Sequence, residues 1–220
     1  VNSQGRLVPR ILLTLVLTLS AAGCGSGTSD SSKTTTATTA STASGAPTQR
    51  ILSEKALTEA LLGVQDLPAG YSQDPPSDRS VDKTFCDYKP AFQEKSYVKR
   101  DFTKGGGLSA EFLKVGLRQY ADADQARASF KSLTDALATC TGETYNGSNL
   151  TYAPMSAPKV AAGSVGVKIT ADGASLLSFF AVDGPVLINT GGGGLVNANA
   201  DEVIKTLESQ VKKYEALAKS

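Results

Sequence analysis

The sequence predicts an α+β domain: a mostly antiparallel sheet with helices packed against it, in the order α-β-β-α-β-β-β-β-α. Three observations carry this. Two long segments, one mid-chain and one at the end, place apolar residues on a helical stripe. Between and before them lie runs in which apolar and polar residues alternate. Gly105-Gly106-Gly107, Asp172-Gly173 and Asp183-Gly184 punctuate those runs as hairpin loops do.

Taken in order, Ser53-Glu-Lys-Ala-Leu-Thr-Glu-Ala-Leu-Leu reads as a short helix. Ser53 is its cap, and Leu57, Ala60 and Leu61 share one face. Gly63 ends it, and Leu67-Pro-Ala-Gly-Tyr71 reads as a turn. Residues 72–84 are polar and Pro-rich, hence a loop. Tyr97–Phe102 and Leu108–Tyr120 are strands. The second places Leu113, Val115 and Leu117 on one face and Lys114, Gly116 and Arg118 on the other.

Asp122–Cys140 is the clearest helix. Asp122 and Gln125 resemble a capping box, and Ala126, Phe130, Leu133, Leu137 and Cys140 form one stripe. A meander follows: Thr144–Ala153, then Val165–Thr170, Ala174–Val182 and Pro185–Thr190. Ala174–Val182 is apolar on both faces, which predicts a central strand covered twice. Gly191–Gly194 then reads as a loop, and Asn199–Lys219 as a closing helix with Val203, Leu207, Val211, Tyr214 and Ala218 inward.

This domain spans residues 50–220. The segment before it has another character. Arg6 and Arg10 precede an apolar run, Ile11–Leu19, and then Ala21-Ala22-Gly23-Cys24. That is a signal peptide, residues 1–23, with the apolar stretch too short to span a membrane. Small residues directly before Cys24 match a lipobox, so Cys24 is expected to become the acylated N-terminus. Residues 24–49 are then a Ser/Thr-rich tether that cannot bury apolar surface. The expected location is the extracytoplasmic face of a cell membrane, held through lipid.

Composition excludes several functions. The 220 residues carry 22 Lys+Arg and 21 Asp+Glu, so there is no basic field for nucleic acid. Without His there is no Ser-His-Asp or Cys-His nucleophile system and almost no zinc chemistry. No D-x-D-x-D-G loop appears, and no metal or cofactor is expected. Ser-x-x-Lys occurs at Ser80, Ser96, Ser156 and Ser209, a chance frequency, with no Lys-Thr-Gly partner. Gly191–Gly194 precedes a helix but lacks the Gly-Lys-Ser/Thr of a phosphate cradle. The chain is therefore read as non-catalytic.

With Cys24 lipidated, Cys86 and Cys140 remain in an exported domain, where a disulfide between them is expected. Any ligand is expected on the second apolar face of Ala174–Val182, near Leu177 and Phe179, with Lys168 supplying polarity from the neighbouring strand. The competing arrangement has the first helix, through Leu57 and Leu61, cover that face.

Leu61-Leu-Gly-Val-Gln-Asp-Leu-Pro-Ala-Gly-Tyr71, with Tyr120, Ala126, Phe130, Leu137 and Cys140 beyond it, resembles actinobacterial surface lipoproteins. The domain is similar to the extracellular sensor domain of mycobacterial serine/threonine kinase H and its lipoprotein relatives, over residues 51–218. The resemblance implies an α+β domain with a cleft, without catalysis. That family typically has two disulfides, whereas the two cysteines here allow one. The function so read is a lipid-anchored binding or sensing module, offered to an envelope ligand or partner protein. The alternative is a carrier of lipid or glycolipid.

Overall fold

Helix formation follows the caps. In a computed structural model, which describes residues 50–77, 85–194 and 198–220, Ser53 accepts a hydrogen bond from the Ala56 N–H and starts α1, Glu54–Glu59. Asp122 accepts from the Gln125 N–H and starts α2, Ala123–Thr139. Asn199 accepts from the Glu202 N–H and starts α3, Ala200–Ala218. Each side chain satisfies a backbone donor that the first helical turn leaves without a partner. The signal peptide, Cys24 and the tether lie outside the described residues. Among the described residues, no helix is long and apolar enough to cross a membrane.

The strands are β1 Tyr71–Gln73, β2 Ser96–Lys104, β3 Glu111–Gln119, β4 Gly142–Tyr145, β5 Ser148–Met155, β6 Gly163–Ala171, β7 Ala174–Asp183 and β8 Val186–Gly194. They form one sheet in the order β1-β2-β3-β8-β7-β6-β5-β4, antiparallel throughout. The domain is thus α+β, and β7 lies inside the sheet, as its two apolar faces require.

Three expectations change. Tyr71 opens β1 instead of closing a turn, because Tyr71–Gln73 pairs with Phe102–Lys104 along the sheet edge. Thr144–Ala153 is not one strand: Asn146 and Gly147, at φ 49° and 83°, turn the chain and divide β4 from β5. Gly191–Gly194 is not a loop. It completes β8, paired to β3 on one side and β7 on the other.

The two sheet faces are covered differently. On the first lie Leu57, Leu61, Phe102, Val115, Leu117, Ile188, Leu207 and Tyr214, all almost fully buried under α1 and α3. Buried glutamines fix this cover. Gln210, within α3, accepts from the Leu62 N–H at 2.9 Å and donates to the Ala60 carbonyl at 2.7 Å. Gln119 holds Leu52 by both its backbone groups. Arg100 donates to the carbonyls of Thr58, Leu61 and Leu62, where α1 ends and leaves acceptors open. On the second face α2 packs Ala126, Leu133 and Leu137 against Val167, Val182 and Leu187.

Cys86 and Cys140 are disulfide-bonded, with Cα atoms 5.9 Å apart. The bond ties the turn Phe85–Asp87 to the C-cap of α2.

Candidate functional site

The expected ligand residues are placed by the register. Leu177 and Phe179 are 3% and 0% exposed and belong to the core under α3 and α1. The Phe179 ring lies on Gly166 of β6, with its Cε1 2.6 Å from where a β-carbon would stand there. Lys168, opposite Leu177 on β6, is exposed on that same face of the sheet. These residues do not meet in a cleft. The helices cover Leu177 and Phe179, and the open face of the same strand is the opposite one.

There the alternate residues Leu176, Ser178 and Phe180 are only half-buried. They line a cleft of about 920 Å³. Its floor is built from β3, β8 and β7: Lys114, Gly191 and Ser178 lie across it at one level, and Gly116, Asn189 and Phe180 at the next. Glycine explains the depth. A strand at the centre of a sheet normally projects a side chain at every second position, but Gly191 projects nothing into this space. Gly116 likewise leaves room for Asn189, whose Oδ1 stands 2.4 Å from the position of a β-carbon. That oxygen is buried and has no hydrogen-bond partner.

One wall is aromatic. The disulfide holds Phe85 over the sheet, where its ring meets Tyr152 and Phe180 edge-on at centroid distances of 5.5 and 5.9 Å. Tyr88, on the same segment, donates its hydroxyl to the Ser129 carbonyl at 3.2 Å. Burial pushes the Tyr88 phenol up to about 12. Burial and the hydrogen-bonded Glu143 carboxylate raise the Tyr152 phenol further. Both rings therefore stay neutral at physiological pH. Leu150 and Ile169 complete this side.

The other wall is polar. Arg118 lies over the Tyr97 ring at 3.8 Å and pairs with Glu94 at 3.3 Å. Lys114 stands opposite Asp101 across β2 and β3. Asp101 accepts from the Ser77 hydroxyl, and Asp74 accepts from Thr103.

The arrangement can hold a ligand by shape, apolar contact and hydrogen bonding. Among the described residues, no group of three or more His, Cys, Asp or Glu is placed to hold a metal. A second hollow, by Tyr71, Glu111 and Glu202, measures about 10 Å³ and admits at most a water.

Sequence alone does not point to this cleft, because both faces of Ala174–Val182 are apolar and Gly191–Gly194 reads as a loop. The signal that could have found it is the run Gly191–Gly194: extended into β8, it predicts a bare strip down the centre of the sheet.

No family model matches the chain, nor does any curated protein. Among solved structures, the chain is similar to the extracellular domain of PknH from Mycobacterium tuberculosis, with a TM-score of 0.55 and 15% identity, over 76% of this chain and 99% of that one. At this identity the likeness is one of fold, and it agrees with the resemblance drawn from Leu61–Tyr71 and the α2 stripe.

Proposed function

We propose that this chain is a non-catalytic binding or sensing module of a bacterial cell envelope, displayed outside the cytoplasm and anchored through lipid on Cys24. The observation that carries the binding role is the cleft. It combines half-buried Leu176 and Phe180 with a polar wall, on a sheet whose opposite face is covered along β3, β8 and β7 by α3. Apolar area left open beside a few oriented polar groups is what a small-molecule site needs. The extracellular placement of the similar PknH domain supports export of this one, as does the signal sequence.

The carrier alternative fits less well. At about 920 Å³ the cleft lies within the ordinary range of ligand pockets, roughly 300–1,000 Å³, whereas a multi-chain lipid needs more. The experiment is native mass spectrometry of the protein purified from its own host. Retained mass that is lost from a Ser178→Trp variant of unchanged fold supports the cleft. Mass retained equally by both places the ligand elsewhere. The anchor is tested separately: Cys24→Ser should move the protein from the detergent phase to the aqueous phase.

A further inference from the structure

The charged groups that line the cleft all lie on one side of it, and this says more about the ligand than its size does. Over β5, β6 and β7 the cleft carries no charge and exposes Leu150, Ile169, Leu176 and Phe180, roofed by Phe85, around the Ser175 and Ser178 hydroxyls. Over β2, β3 and β8 lie the charged and amide groups Asp101, Lys114, Arg118 and Asn189, beside the Tyr97 ring and the exposed ring of Phe112. Resting on the cleft reading above, we infer that the ligand is a single-chain amphiphile whose head group has no net charge.

The apolar half gives the first part. Half-buried Leu, Ile and Phe side chains gain by meeting an apolar chain, at roughly 25 cal/mol per Å² removed from water. The volume has room for one chain together with its head group and is below what a whole two-chain lipid needs.

Charge in the polar half gives the second part. Each cation on the β3 face has an acid beside it: Arg118 has Glu94 at 3.3 Å, and Lys114 has Asp101 opposite in register, while the third carboxylate of this wall, Asp74, accepts from the Thr103 hydroxyl. A carboxylate ligand would have to compete with those acids, and an ammonium ligand with those bases. A zwitterion or a polyol instead meets donors and acceptors of both kinds. The Asn189 side chain lines the floor among them, with its Oδ1 buried against Gly116.

The test uses ligands of equal chain length on the full chain carrying Cys24→Ser, so that its own acyl groups do not compete. Dodecyl maltoside, lauroyl lysophosphatidylcholine, laurate, dodecylammonium and maltose are titrated by calorimetry, each below its micelle concentration. We expect one molecule of either uncharged-overall amphiphile per chain, bound at least about tenfold tighter than laurate or dodecylammonium, and no binding of maltose. Ser178→Trp, which fills the floor, should abolish the binding. Lys114→Met, a half-exposed position, should weaken lysophosphatidylcholine by about tenfold or more, as loss of a charge-assisted hydrogen bond does, and lower the melting temperature by no more than about 4 °C, as loss of a surface ion pair does. Laurate or dodecylammonium binding tightest overturns the head-group assignment, and maltose binding as well as its dodecyl ether overturns the apolar half. If no amphiphile binds, yet host-purified protein retains a mass that Ser178→Trp releases, the amphiphile class falls and the cleft stands.

Discussion

Phe179 and Phe180 are neighbours in sequence on opposite faces of β7, and truncating each in turn tests the placement of the cleft. Phe179 is fully buried between Gly166 and the helices. Removing a ring so enclosed costs its transfer energy plus a cavity, about 3–5 kcal/mol. For a domain of this size, each kcal/mol lowers the melting temperature by about 2–4 °C. Phe179→Ala should therefore melt about 6–20 °C lower. Phe180 is half-buried, so its truncation leaves little enclosed void. It loses part of its burial and an edge contact with Phe85, the latter about 0.5–1.5 kcal/mol. Phe180→Ala should destabilise by less than half as much, and should weaken ligand retention where Phe179→Ala, measured well below its melting point, does not. Calorimetric melting of both variants without ligand decides the stability claim. Equal losses, or a larger loss at Phe180, would refute the assignment of the two faces.

Other positions give independent checks. Cys86→Ser with Cys140→Ser opens a loop with a sequence separation of 54 and should cost roughly 4 kcal/mol by chemical denaturation, in the chain-entropy account. Gly192→Ala should destabilise by about 1–3 kcal/mol, because its β-carbon would stand 2.6 Å from Val203 and 2.8 Å from Leu113. Gly191→Ala, whose nearest contacts are 3.4 Å or more, should leave the melting temperature almost unchanged. Alkaline titration should unfold the domain. Tyr88 is raised to about 12, while an exposed or unfolded tyrosine ionises near pH 10, so its contribution is complete below about pH 10 and is lost as the pH rises toward 12. Tyr71, Tyr152 and Tyr214 are raised too, chiefly by burial, and act in the same direction. Phenolate absorbance should appear together with loss of secondary structure; tyrosines that ionise near pH 10 in intact protein would contradict their burial.

Most of the fold was legible because its signals are local. Asp122 and Asn199 cap within their own first turns, and the α3 stripe from Val203 to Ala218 is buried as the helical period requires. Asp172 and Gly173 turn at φ 48° and 86°, as that dipeptide prefers. The misreadings are non-local. Tyr71–Gln73 is a strand only because the edge of β2 accepts it. Asn146-Gly147 was a turn signal inside an otherwise uniform run. Glycine has low strand propensity, so Gly191–Gly194 read as loop, and its pairing with both β3 and β7 overrode that preference. Which face of β7 would be open could not be read from β7 itself, since both of its faces are apolar.

That ambiguity is resolved by the glycines, and they connect fold to site. A helix packed on a sheet needs small residues where its own side chains descend, and Gly192 supplies this for Val203 of α3. Because side chains alternate along a strand, Gly191 is thereby fixed on the opposite face, where α2 does not reach the floor left bare. The Cys86–Cys140 bond then holds Phe85 over the far side of that strip, so the strip becomes a cleft with a wall. Close packing on one face and an open floor on the other thus follow from one run of residues. Enlarging Gly192 should act on stability through α3, whereas a bulky side chain introduced into the cleft from Ser178 should act on binding. A coupling of the two effects in the double variant beyond about 0.5 kcal/mol would show that the faces are not separate.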